Sequence, residues 1–100
     1  MKFDHPELDD VWFTVKEDPK MRDILQYDSE IVGRMSSTLY PRLWSGLKWL
    51  VDEWHCDIVD PQADVGELLD GSYDAKKNEV VKWAGLACWS YRQSLEPEKN

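Results

Sequence analysis

Residues 44–54, WSGLKWLVDEW, place three of the chain's six tryptophans within eleven residues. Tryptophan is usually well buried, so the fold has to be arranged around this stretch. On a wheel advancing about 100° per residue, Leu50, Leu43, Trp54, Leu47, Ile58, Val51 and Trp44 share an arc of about 120°. The spacing predicts one long helix from Pro41 to about Val59. Trp49 falls off the stripe, among Arg42, Ser45, Glu53 and Asp60.

A second long helix is predicted over residues 74–95, AKKNEVVKWAGLACWSYRQSL with Asp74 or Ser72 as its cap. Trp83, Ala87, Val80, Tyr91, Ala84, Leu95, Cys88 and Val81 line one face, and the Ala and Cys positions permit close helix approach. Trp89 points the other way. Trp49 and Trp89 thus have two readings: core, if the bundle surrounds these helices on two sides, or contacts for a partner or a second copy, since tryptophan is enriched at interface hot spots. A nucleotide-stacking role is a third.

The remaining segments are shorter. In EDPKMRDILQY, Asp18 can cap, Pro19 suits the first helical position, and Met21, Ile24 and Leu25 share a face. DSEIVGRMSSTLY reads as a further helix capped by Asp28 or Ser29 and weakened by Gly33. DHPELDDVWFTVK has Pro6 near a helix start and Leu8, Val11, Trp12 and Val15 at helical spacing; its centre, VWFTV, is also rich in β-formers, so a short strand over 11–15 is the alternative. DPQADVGELLDGSYD breaks the chain, with one or two helical turns and a turn at Asp70-Gly71. The expectation is an all-α domain over residues 1–96, a bundle of four or five helices, with residues 97–100 as a frayed tail.

The charge narrows the function. Twenty acidic residues against twelve basic ones leave a net charge of -8, which opposes direct binding to nucleic acid or an anionic membrane. Of residues 1–30, 31–60 and 61–100, the first third carries the largest acid excess, nine acids against four bases. No apolar run approaches a membrane span, MKFDHPELDD lacks the apolar region of a signal peptide, and two cysteines are too few for a disulfide scaffold; a cytoplasmic setting is expected. Cys56 and Cys88 read as inert thiols. No nucleophile triad, phosphate loop or zinc spacing is present, and His55 and Cys56, being adjacent, would splay apart on a helix.

One carboxylate set has chemical potential. Asp64 and Glu67 are three apart on one prospective helix face, and Glu79 follows on the next; three such groups on facing helices could hold Mg²⁺. DVGELLDGSYDAKKNEVVKWAGLA resembles the two-helix core of MazG-type all-α nucleoside triphosphate pyrophosphohydrolases, which carry E-x-x-E on one helix and E-x-x-D on the next as Mg²⁺ ligands. The resemblance covers about a quarter of the chain. It sets Asp64 and Glu67 in the first pair and Glu79 as the first acid of the second, while Lys82 stands where the family has its last Asp. It implies metal-dependent nucleotide hydrolysis, or a degenerate relative that only binds.

The main expectation is different: a small acidic non-enzymatic binding protein, needing no cofactor, that occupies a basic nucleic-acid-binding site on a protein partner. In general character such a chain resembles phage-encoded inhibitors, anti-restriction and anti-CRISPR proteins among them. Carboxylates at Asp4, Glu7, Asp9, Asp10, Glu17 and Asp18 would stand in for phosphates, with Trp49 and Trp89 as anchors to the partner or to a second copy.

Overall fold

The computed structural model describes residues 1–33 and 38–96. Its architecture is mixed α/β, not the expected all-α bundle. Strand β1 (Lys2–Asp4) is followed by β2 (Trp12–Val15), α1 (Met21–Gly33), α2 (Leu39–Ser45), the short α3 (Leu47–Leu50), β3 (Val51–His55), α4 (Val65–Asp70) and α5 (Ala75–Ser94). The strands form an antiparallel sheet in the order β1-β2-β3.

The strand alternative over 11–15 is the one that forms, and β2 becomes the central strand. Strand periodicity sends alternate side chains to opposite faces. Val11, Phe13 and Val15 are buried, whereas Trp12 and Thr14 are only partly covered. Phe13 is fully buried, stacked on Phe3 at 5.2 Å between centroids, tilted against Trp54 at 5.5 Å, and edge-on to Trp83 of α5 at 5.1 Å. That cluster joins all three strands to α5.

The predicted helix over 41–59 is the principal correction. It breaks after Ser45, whose hydroxyl donates back to the Arg42 carbonyl at 2.7 Å and so competes with the helical ladder. At Gly46 the buried Tyr27 ring comes so close that an added Cβ would lie 2.6 Å from Cδ2, so glycine is required there for proximity. After α3, Val51 turns extended (φ -72°, ψ 133°), and residues 51–55 pair with β2, Phe13 opposite Trp54 and Trp12 opposite His55. The β-formers Val51 and Trp54 sit as well on a strand as on the helical stripe, and a partner strand about forty residues upstream decides between them. Trp44 and Trp54 meet nonetheless, edge to face at 5.9 Å, from different elements.

Helix α1 also departs from expectation. One helix covers the two segments predicted separately on either side of Asp28, as far as Gly33; residues 34–37 lie outside the described chain, as does the tail 97–100. Its inward face is Asp23, Tyr27 and Ile31. Met21 and Leu25 are exposed, because Lys16 and the Lys20 amide hold Asp23 inward: its carboxylate takes the Lys20 N–H at 2.9 Å and the Lys16 ammonium at 3.1 Å.

Helix α5 follows its pattern. Asp74 caps it, accepting from the Lys77 amide. Val80, Val81, Ala84, Cys88 and Tyr91 are buried, and Leu95 of the predicted face is exposed. Gly85 and Ala84 let α2 approach closely; a Cβ on Gly85 would lie 3.1 Å from that of Leu43. Arg92 reaches across to α1 and clamps Asp28 through Nε and Nη2, both at 2.9 Å.

Candidate functional site: the acidic sheet end

The β1–β2 loop is built around His5. The ring Nδ1 accepts the amides of Glu7 (3.1 Å) and Leu8 (3.0 Å), so the neutral ring carries its proton on Nε2. Its backbone N–H donates to the Val11 carbonyl, and its ring rests on Trp83. The loop wrapped over this buried imidazole exposes Glu7, Asp9 and Asp10. Asp10 has a φ of 58°, a left-handed conformation that Asp tolerates better than most residues. Its carbonyl lies 2.6 Å from His55 Nδ1; a carbonyl only accepts, so His55 Nδ1 is the donor. His55 stacks on Trp12 at 5.0 Å, nearly parallel, and Lys2 lies over the same indole at 4.6 Å. Loop, β2 and β3 are thereby locked together.

Strand β3 then adds its own acids. A bulge lies in its pairing with β2 between Phe13 and Val15. The extra residue breaks the in-out alternation, and Asp52 and Glu53 are both exposed. Thr14 Oγ1 takes the Glu53 amide at 3.0 Å. Beyond β3, the indole N–H of Trp54 donates to the carbonyls of Cys56 (3.1 Å) and Val59 (2.9 Å), which turns residues 56–62 back beside the strand.

Two depressions flank this return. One, of about 510 Å³, is lined by Asp52, Asp57 and Asp60 with Val51, Trp54 and Val59. The other, of about 380 Å³, joins Asp9 and Asp10 to Asp57 and His55. Trp54, Cys56 and Asp57 belong to both, so carboxylates from the loop and from β3 form one continuous acidic surface.

Of the residues singled out from the sequence, Asp9 and Asp10 belong to this surface. Asp4 is on β1, 3.5 Å from Lys2, and Asp18 faces Lys20 at 3.9 Å, both as exposed pairs. Glu17 and Asp18 act on Tyr91, whose phenol is held above its ordinary value first by burial and then by these two charges. Trp49 is partly buried against the core, its Nε1 enclosed and without a hydrogen-bond partner among the described residues. Trp89 is exposed on α5. The two tryptophans therefore differ: Trp49 is packed and Trp89 faces solvent.

The acids of β3 and of the return, Asp52, Glu53, Asp57 and Asp60, were missed. Charge taken by thirds of the chain hides them, because the run between Lys48 and Lys76, with eight acids and no Lys or Arg, straddles two of the thirds. That uninterrupted run was the available signal.

The carboxylates proposed for Mg²⁺ do not assemble. The Asp64 side chain caps α4 by accepting the Glu67 amide at 3.3 Å, Glu79 is exposed on α5, and Lys82 lies over Tyr40 at 5.3 Å. Among the described residues no three His, Cys, Asp or Glu side chains converge on a metal position. Cys88 is buried and its thiol is pushed well above the ordinary range by desolvation, which leaves it a poor nucleophile. Among the described residues no helix is long and apolar enough to cross a membrane.

Fold and surface together define a small α/β chain with a three-stranded antiparallel sheet and an acid-fringed sheet end. Comparison with protein-family models, curated proteins and solved structures gives no match.

Proposed function

We propose that the protein is a non-enzymatic binding module that sets its acidic sheet end against a cationic surface of a protein partner, of the kind that otherwise receives nucleic-acid phosphates. The observation that carries this reading is the convergence of Asp9 and Asp10 with Asp52, Asp57 and Asp60 around one pair of depressions. None of these five has an ion-pair partner among the described residues. Exposed, unpaired carboxylates cost little to desolvate at a rim and raise the association rate with a cationic surface. In that role they act as phosphate mimics, and the bound partner is closed to nucleic acid.

The test is competition. The protein is titrated into complexes of labelled duplex DNA with a set of basic DNA-binding proteins, at low and moderate salt. The expected result is displacement from at least one of them, weakening roughly tenfold or more as salt screens the charges, and lost on joint Asp9→Lys and Asp57→Lys substitution. Displacement that persists through both changes, or none from any member of the set, overturns the reading.

A further inference from the structure

The sheet has two edges, and they are unlike. β1 is three residues long and carries Lys2 paired with its own neighbour Asp4. β3 is five residues long, and on the side away from β2 no strand pairs with it among the described residues. An edge strand presents unpaired backbone N–H and C=O groups and is a template for another chain. The larger depression lies along β3. Its lining combines apolar Val51, Trp54 and Val59 with acidic Asp52, Asp57 and Asp60, and includes no Lys, Arg or His.

Resting on the reading above, we infer that β3 takes an extended, cation-bearing segment of the partner as a fourth strand. An added strand alternates its side chains, so β-branched residues would meet the apolar lining while Lys or Arg residues meet the carboxylates. Charge complementarity selects this occupant over the alternatives. A second copy of this chain would bring Asp52, Glu53 and Asp57 against the same residues, and like charges across a strand pair are destabilising. A nucleic acid strand is repelled for the same reason.

The experiment uses the whole protein and short peptides of equal charge: an alternating Arg-Val peptide, the same peptide N-methylated on alternate residues, and a flexible Arg-Gly peptide. N-methylation removes the N–H donors that a strand needs and leaves the charge intact. Affinity is measured by titration calorimetry, with amide NMR shifts to locate the site. The expected result is shifts over 51–62, with binding about tenfold weaker for both the N-methylated and the Arg-Gly peptides, and about tenfold weaker for the Arg-Val peptide on joint Asp57→Lys and Asp60→Lys substitution. Equal affinity for all three peptides overturns strand addition while leaving the electrostatic reading standing. Shifts that avoid 51–62 overturn the site. Failure of every peptide, together with failure of DNA displacement, overturns the inference and the reading beneath it.

Discussion

The two ends of the molecule use carboxylates in opposite ways. At the helical end three of them, Asp23, Asp28 and Glu96, are partnered. Asp28 and Glu96 share the Arg92 guanidinium, and Asp23 is held by Lys16 and the Lys20 amide. Asp28, first among its partners, raises the Arg92 pKa, and the Lys20 amide, then Lys16, lower that of Asp23. At the sheet end Asp9, Asp10, Asp52, Asp57 and Asp60 have no cation among the described residues, and aromatic contacts through Phe13, Trp54 and Trp83 hold the structure. At one end charge is paired across elements, and at the other it is left over. Since a net charge far from zero destabilises a compact state through self-repulsion, unpaired acids gathered at one end are a cost to stability that a cationic partner would offset.

Substitutions can break this contrast. The largest effect is expected for Phe13→Ala, which removes the buried ring at the centre of the sheet's aromatic cluster; denaturant unfolding is expected to show a loss of about 3–5 kcal/mol. Loss below about 1 kcal/mol would mean that aromatics do not hold the sheet end. Gly46→Ala drives a methyl group into Tyr27 and is expected to cost about 1–3 kcal/mol, with Gly33→Ala, where nothing lies within 4 Å of the new Cβ, as the control, expected to leave stability unchanged or raise it by up to about 1 kcal/mol. Arg92→Met removes the clamp between α1 and α5. With the Asp28 side chain substantially exposed, the expected loss is about 1 kcal/mol, measured in moderate salt and reduced in an Asp28→Asn background, where the Glu96 pair is still present.

The smaller effects sharpen the contrast. Joint Asp57→Asn and Asp60→Asn substitution is expected to leave stability within about 0.5 kcal/mol, tending to a gain at low salt, while weakening the proposed binding to a cationic partner. A large stability loss would show that these acids are structural after all. Asp23 predicts a pH signature. Its folded pKa lies below its unfolded value, so its contribution is fully present above the ordinary Asp value of about 3.9 and is lost as pH falls through the lowered folded value. Asp23→Asn is expected to flatten the stability profile in that acidic window.

Much of the helical end was legible from local signals. Asp74 as cap and the short α4 ending at Asp70 depend on neighbours within a few residues, and the small residues at Ala84 and Cys88 stand on a helical period. The sheet end was less so. Leu8, Val11, Trp12 and Val15 satisfy a helical spacing, while Val11, Phe13 and Val15 satisfy a strand spacing. Only the latter places Phe13 inside and Trp12 on the open face beside His55. The acidic surface was half visible: Asp9 and Asp10 stood out, but the contribution of β3 depends on a bulge that turns two successive acids outward, and bulges follow from pairing.

What the sequence by itself determined is the excess of acid, its concentration between Lys48 and Lys76, the helix of residues 75–94 and the need to bury most of six indoles. What only the tertiary structure decided is how that burial is achieved. Trp44 and Trp54, predicted on one helical stripe, pack against each other from a helix and a strand; Trp49 is packed and Trp89 left exposed. The reason is that residues 51–55 have no strong local preference, so their conformation is set by pairing with β2 and by Phe13, contacts that exist only once the chain has closed on itself.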